Sequence, residues 1–206
     1  GSARTLRGAL ISVAPLTMTP SVIVFQYNPV SLSRSFELKT TAAGSGAGQV
    51  GAPPAETIKL ELELDATDDL EAQKGEDGVL PRLSALLGLV TPSSGSVIAN
   101  EVLAATGTVE IIPPAAPLTL FVWGRRRVLP VVVSELAITE EAYDASLTPI
   151  MAKVSVGLRV LTYADVGIMH PGHALSLAHQ VAREVMAAQG TTRSVASVLG
   201  AETRLV

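Results

Sequence analysis

VVVSELAITEEAYDASLTPIMAKVSVGLRVLTY, residues Val131 to Tyr163, is the stretch on which the fold turns. Its second half alternates Val154, Val156, Leu158 and Val160 with Lys153, Ser155, Gly157 and Arg159. A period of two predicts a strand with one face buried. The first half closes in the same rhythm, with Leu136 and Ile138 set against Glu135, Ala137 and Thr139. Glu140, Glu141, Asp144 and Pro149 supply the polarity and punctuation of a short acidic connection. The whole reads as two strands joined by a turn.

Working outward toward the N-terminus, TIKLELELD (Thr57 to Asp65) carries the cleanest alternation, Ile58, Leu60, Leu62 and Leu64 on one side and Lys59, Glu61 and Glu63 on the other. Such a strand has one wet or partner-facing side. Leu6 to Val13 and Ser31 to Thr40 read as extended, and SVIVFQY (Ser21 to Tyr27), rich in β-branched and aromatic residues, reads as a strand buried on two sides. Asn28-Pro29 ends it. Ala42 to Ala55, AAGSGAGQVGAPPA, consists mostly of small residues with two prolines, has no means of burying surface, and predicts a mobile loop. Val79, Leu80, Leu83, Leu86, Leu87 and Val90 recur at helical spacing after an acidic Asp68-Asp69. Val97 to Ala105 fits helix or strand, Thr108 to Ile112 and Leu118 to Trp123 read as strands, and Gly124-Arg125-Arg126-Arg127 is a basic tip.

Beyond Tyr163, His170-Pro171-Gly172 is a hinge and His173 to Gln189 a helix, with Leu177, Ala178, Val181, Val185 and Met186 as an apolar stripe opposite His179, Gln180, Arg183 and Glu184. Thr192 to Leu199 fits a last short helix. The expected organisation is a β domain over 1–165 and a helical C-terminal extension over 166–206 that packs on the β body or docks on a neighbour.

Of the 206 residues, 48% are apolar but only 3% aromatic, so Val, Leu, Ile and Ala must fill the core. Fifteen Lys and Arg against 19 Asp and Glu give a net charge of −4, which argues against a surface built to neutralise many phosphates. Cysteine is absent, which excludes disulfides and thiolate metal sites and suits a cytoplasmic protein. No apolar run reaches the ~20 residues of a membrane-spanning helix, and the short patch near the N-terminus lacks a signal-peptide cleavage pattern. A soluble, unprocessed chain is expected.

Chemistry is weakly written. Gly46, Gly48 and Gly51 satisfy G-x-G-x-x-G, but prolines and a strand follow where a dinucleotide site needs a helix. His170, His173 and His179 lack the carboxylate company of a metal site. Glu140, Glu141 and Asp144 sit on an expected turn, with no apolar pocket to separate their pKa values. No catalytic residue, cofactor or metal is expected. The residues singled out for partner contact are Gly46 and Gly48 in the loop, Arg125, Arg126 and Arg127 at the tip, and His179 and Arg183 on the C-terminal helix.

Two stretches together resemble the tube-domain family of contractile injection systems. VFQYNPVSLSRSF (Val24 to Phe36) is similar to that family's early F-x-(Y/F)-N-P strand and turn, and ITEEAYDASLTPIMAKVSVGLRVL (Ile138 to Leu161) resembles its later hairpin, with Thr148-Pro149-Ile150-Met151-Ala152 carrying the match. The resemblance covers about residues 6 to 165. It implies a structural protein at the base of the inner tube, linking the tube to a spike hub and baseplate wedge proteins. It further implies a hexameric ring, no nucleic acid, no membrane span, and cytoplasmic assembly into a phage-tail-like particle. Family members often continue into a LysM module; after Tyr163 this chain shows none of the βααβ alternation of one. The expected fold is mainly β with α, an antiparallel β-sandwich or β-barrel of phage tail-tube type with inserted helices and a helical C-terminal tail. Alternatives are a small-ligand-binding β-barrel and an unrecognised enzyme.

Overall fold

The computed structural model describes residues 6–13, 20–38, 53–68, 77–92, 94–107 and 118–190. Seven strands form one antiparallel sheet: β1 (Ala9–Val13), β2 (Pro20–Val24), β3 (Leu32–Glu37), β4 (Ala55–Asp65), β5 (Leu118–Val122), β6 (Val128–Tyr143) and β7 (Pro149–Val160). Their order is β2-β1-β5-β6-β7-β4-β3. Three helices lie whole among the described residues: α1 (Leu80–Leu87), α2 (Ser94–Ala105) and α3 (Pro171–Gly190). The fold is therefore mainly β and antiparallel. The sandwich or barrel expectation is corrected in one respect: the described strands make a single sheet that ends at β2 and β3, neither stacked on a second sheet nor closed into a ring of hydrogen bonds.

The central hairpin forms as the alternation requires, with Leu136 opposite Val156 and Ile138 opposite Val154. β6 runs further than expected. Glu140 and Glu141 pair with Ala152 and Met151 as strand residues, so the acidic turn reduces to the residues between Tyr143 and Pro149. There the Asp144 carboxylate accepts the Ser146 and Thr148 amides at 2.7 and 2.8 Å, an Asx-type closure that makes this carboxylate a turn former.

The register slips once, between Val133 and Glu135. The reason lies in parity: Val131 and Val133 face the core from odd positions, Leu136 and Ile138 from even ones. One unpaired residue must intervene, and Ser134 is that bulge. Gly157 stands opposite Glu135, where an added Cβ would lie 2.8 Å from the Glu135 Cβ. The bare backbone there lets Lys59 reach over it to Glu135 at 2.7 Å.

One sheet face carries the core. Ile58, Leu60, Leu62 and Leu64 of β4 and Val154, Val156 and Leu158 of β7 are buried, and α1 lays Leu83 and Leu86 on them. Toward the other end of the sheet, Leu10, Phe25 and Phe121 continue the same cluster. Phe25 and Trp123 each pack against Phe121, with ring centroids 6.5 and 5.9 Å away. The sheet curls enough for Gln26, just past β2, to bond both the carbonyl and the amide of Asp65 at the end of β4, at 2.7 and 3.0 Å. Arg82 of α1 joins the same amide side chain at 2.7 Å. Asn28 latches the other side, accepting the Gly8 amide and donating to the Leu6 carbonyl.

β2 departs from the expectation of burial on two sides. It is an edge strand, and Val22 and Val24 are exposed; only Phe25, just beyond it, is core. Val97 to Ala105 resolves as helix within α2. The loop glycines Gly46 and Gly48, the strand expected over Thr108 to Ile112 and the helix expected over Thr192 to Leu199 lie outside the described residues.

Candidate functional site

Four of the seven residues singled out in the sequence converge. Arg126 and Arg127 come from the β5–β6 turn, His179 and Arg183 from α3, and all four line one groove of about 300 Å³. The turn is tight: the Trp123 amide donates to the Arg127 carbonyl at 2.8 Å, and Gly124 adopts φ of +73°, a left-handed conformation costly for a residue with a Cβ. The reversal presents the arginines side by side. Arg125, the third of the triplet, is exposed and does not line the groove.

Sequence reasoning missed the two residues that hold the site together. Glu56, at the start of β4, is only 3% exposed. Its Oε1 accepts the Arg34 Nε–H at 2.6 Å, and its Oε2 lies 3.9 Å from an Arg183 guanidinium nitrogen. A buried carboxylate thus joins β3 to α3. Both guanidinium groups also lie near one ring, Arg34 at 5.2 Å and Arg183 at 5.9 Å from the Phe36 centroid, within cation–π range. The signal was available. Glu56 is in step with Ile58, Leu60, Leu62 and Leu64, and Arg34 with Leu32 and Phe36, so a period of two puts both on the core-facing side.

α3 begins at Pro171, preceded by His170, whose Nδ1 accepts the Gly172 amide at 3.0 Å and so caps the first turn. His173 sits 3.3 Å from the Val166 carbonyl and meets the Tyr163 ring edge-on. Two of the three histidines thus organise the helix start. Among the described residues no cluster of three or more His, Asp or Glu is placed to hold a metal ion.

The helix docks by its polar side. Gly172 and Ser176 are buried, and Ser176, His179 and Arg183 face a second cavity of about 330 Å³ bounded by Glu56, Pro130 and Leu161. The apolar stripe points the other way: Leu177, Val181 and Val185 are 48, 52 and 56% exposed. The tail thus meets the β body, as one of the two expectations had it, but by its polar side, with the apolar stripe outward.

His179 stands between the two cavities. Its Nε2 is buried with no hydrogen-bond partner among the described residues. Burial, with Arg183, Arg34 and Arg127 nearby, holds its imidazole below the usual range, against the opposing pull of Glu56. The groove therefore presents four guanidinium groups, Arg34, Arg126, Arg127 and Arg183, with the His179 imidazole, and the Glu56 carboxylate lies behind two of them. No described helix is long and apolar enough to cross a membrane. No family model and no curated protein matches the chain.

Proposed function

We propose that this chain is a non-enzymatic structural subunit of a phage-tail-like contractile injection particle, an adaptor in a sixfold ring that joins the inner tube to the spike hub and baseplate wedges. The observation that carries the assembly part is the outward apolar side of α3. A helix that meets its own domain with Ser176, His179 and Arg183 and gives Leu177, Val181 and Val185 to solvent has a face suited to another chain. Val97, Ile98 and Val102 of α2 and Val22 and Val24 of the edge strand β2 add exposed apolar surface of the same kind. Cyclic rings use such heterologous patches, one surface of a copy against a different surface of the next.

The injection-system part rests on the resemblance of Val24 to Phe36 and Ile138 to Leu161. Those two stretches have well-defined places: Phe25, Gln26 and Asn28 anchor the early turn, and Pro149 receives the Val79 amide at the start of α1, at 3.0 Å. A second reading, small-ligand binding, has the two cavities in its favour. They flank an arginine cluster rather than forming the mostly apolar enclosure typical of such sites, which ranks it second. The test is genetic. Deleting the gene should leave particles without tubes of normal length in electron micrographs, and normal sheathed tubes in the deletion strain would overturn the proposal.

A further inference from the structure

We infer that the groove between α3, β3 and the β5–β6 turn is a docking site for an extended, carboxylate-rich segment of a different protein chain. This rests on the reading of the chain as an assembly subunit and names the chemistry of one partner. Four arginines line the groove and, among the described residues, one carboxylate, Glu56, answers them, so three of those positive charges stand in excess on a chain whose net charge is −4. Glu56 is spent within the site. It fixes Arg34 at 2.6 Å and lies 3.9 Å from Arg183, and both arginine side chains, 31 and 46% exposed, line the groove. Arg126 and Arg127 have no carboxylate partner among the described residues. Guanidinium groups held in place by a buried counter-ion are set for paired bonds to incoming carboxylates, with little ordering left to be done.

The shape favours a peptide over a free anion. Phe36, Trp123 and Met186 share the groove wall with the arginines, offering apolar contact between charged positions. β3 borders the groove and is the terminal strand of the sheet, so a segment lying there runs beside a strand margin. Charge favours a different chain over a second copy. The described acidic runs of this chain, Glu61 to Asp65 and Glu140-Glu141, are already paired into the sheet as parts of β4 and β6, so neither is free to lie in the groove of a second copy as an extended segment.

Trp123, the sole tryptophan of the chain, lines the site and reports on it directly. The experiment titrates the full 206-residue chain with a ten-residue peptide of alternating Glu and Val, following Trp123 fluorescence and the anisotropy of a label on the peptide. Saturable binding is expected, weakening as salt rises, and absent for the same peptide with Gln in place of Glu. Arg126→Glu with Arg127→Glu, on an exposed turn, should weaken it at least about tenfold, as loss of charge-assisted contacts implies. Arg183→Gln should do the same, with circular dichroism confirming the fold of each variant. No binding, or binding indifferent to these substitutions, overturns the inference. So does equal competition by inorganic phosphate, which would make this a free-anion site, or self-association blocked by the peptide, which would make the occupant a second copy. A normal particle in the deletion strain would sink the assembly proposal while leaving peptide binding intact, so the two fail separately.

Discussion

Replacing Glu56 by Gln removes the one carboxylate that, among the described residues, Arg34 and Arg183 share. Breaking a fully buried ion pair by removing one partner costs about 3–5 kcal/mol, because the other charge is stranded. Here only one partner is deeply buried: Glu56 retains 4% of its side-chain exposure, whereas Arg34 and Arg183 retain 31 and 46%. Both arginines can recover part of their hydration, so the expected loss for Glu56→Gln falls to about 1–3 kcal/mol. Arg34→Gln is the harsher change. It leaves the buried carboxylate with Arg183 alone, at 3.9 Å, too far for a hydrogen bond. The loss for Arg34→Gln should therefore exceed that for Glu56→Gln. The double variant should cost less than the sum of the two, with a coupling of about 1–3 kcal/mol. Urea unfolding followed by Trp123 fluorescence and far-ultraviolet circular dichroism measures all three. Glu56→Gln within about 0.5 kcal/mol of the parent, or strictly additive single changes, would refute the view that a buried counter-ion ties β3 to α3.

Phe121 is fully buried at the junction of Phe25 and Trp123, so Phe121→Ala should cost about 3–5 kcal/mol in the same unfolding assay. Gly78 adopts φ of +55°, and a Cβ there would lie 2.2 Å from the Pro149 carbonyl oxygen; Gly78→Ala should destabilise by more than about 1 kcal/mol by prying α1 from the hairpin. Val181→Glu with Val185→Glu should leave unfolding free energy within about 0.5 kcal/mol while blocking incorporation into particles, read by electron microscopy of the complemented deletion strain. His179 supplies a pH dependence of known sign. Its folded pKa is depressed below 6.5, so the unfolded chain takes up the proton first as pH falls. Stability should then be full above 6.5, decline below it, and level off once the folded imidazole protonates. His179→Gln should flatten that part of the profile, measured as unfolding free energy between about pH 7.5 and 5.

Local periodicity carried the strands. The alternations in Thr57–Asp65 and Lys153–Val160 leave few choices for which side chains share a face, because successive residues of a strand must point to opposite sides. Even the Ser134 bulge is legible there, in the change from odd to even apolar positions between Val133 and Leu136. The same arithmetic places Arg34 and Glu56 on the inner side, although only the attached charge makes that placement chemically interesting. β2 shows the limit of this reasoning. SVIVFQY has the composition of a buried strand, yet its place at the end of the sheet leaves Val22 and Val24 in water.

By itself, then, the sequence determined the hairpin, the wet and dry sides of β4 and the first helix, and it singled out Arg126, Arg127, His179 and Arg183 one by one. The tertiary structure decided that those four meet, since only the order β5-β6-β7-β4-β3 and the curl of the sheet bring the Arg127 turn, the β3 edge and α3 to one place. It also decided which way α3 faces. An amphipathic stripe says that one side of a helix differs from the other. It leaves open which side meets the protein, and here Gly172 and Ser176 are buried, Arg183 lies 3.9 Å from Glu56, and Leu177, Val181 and Val185 face outward.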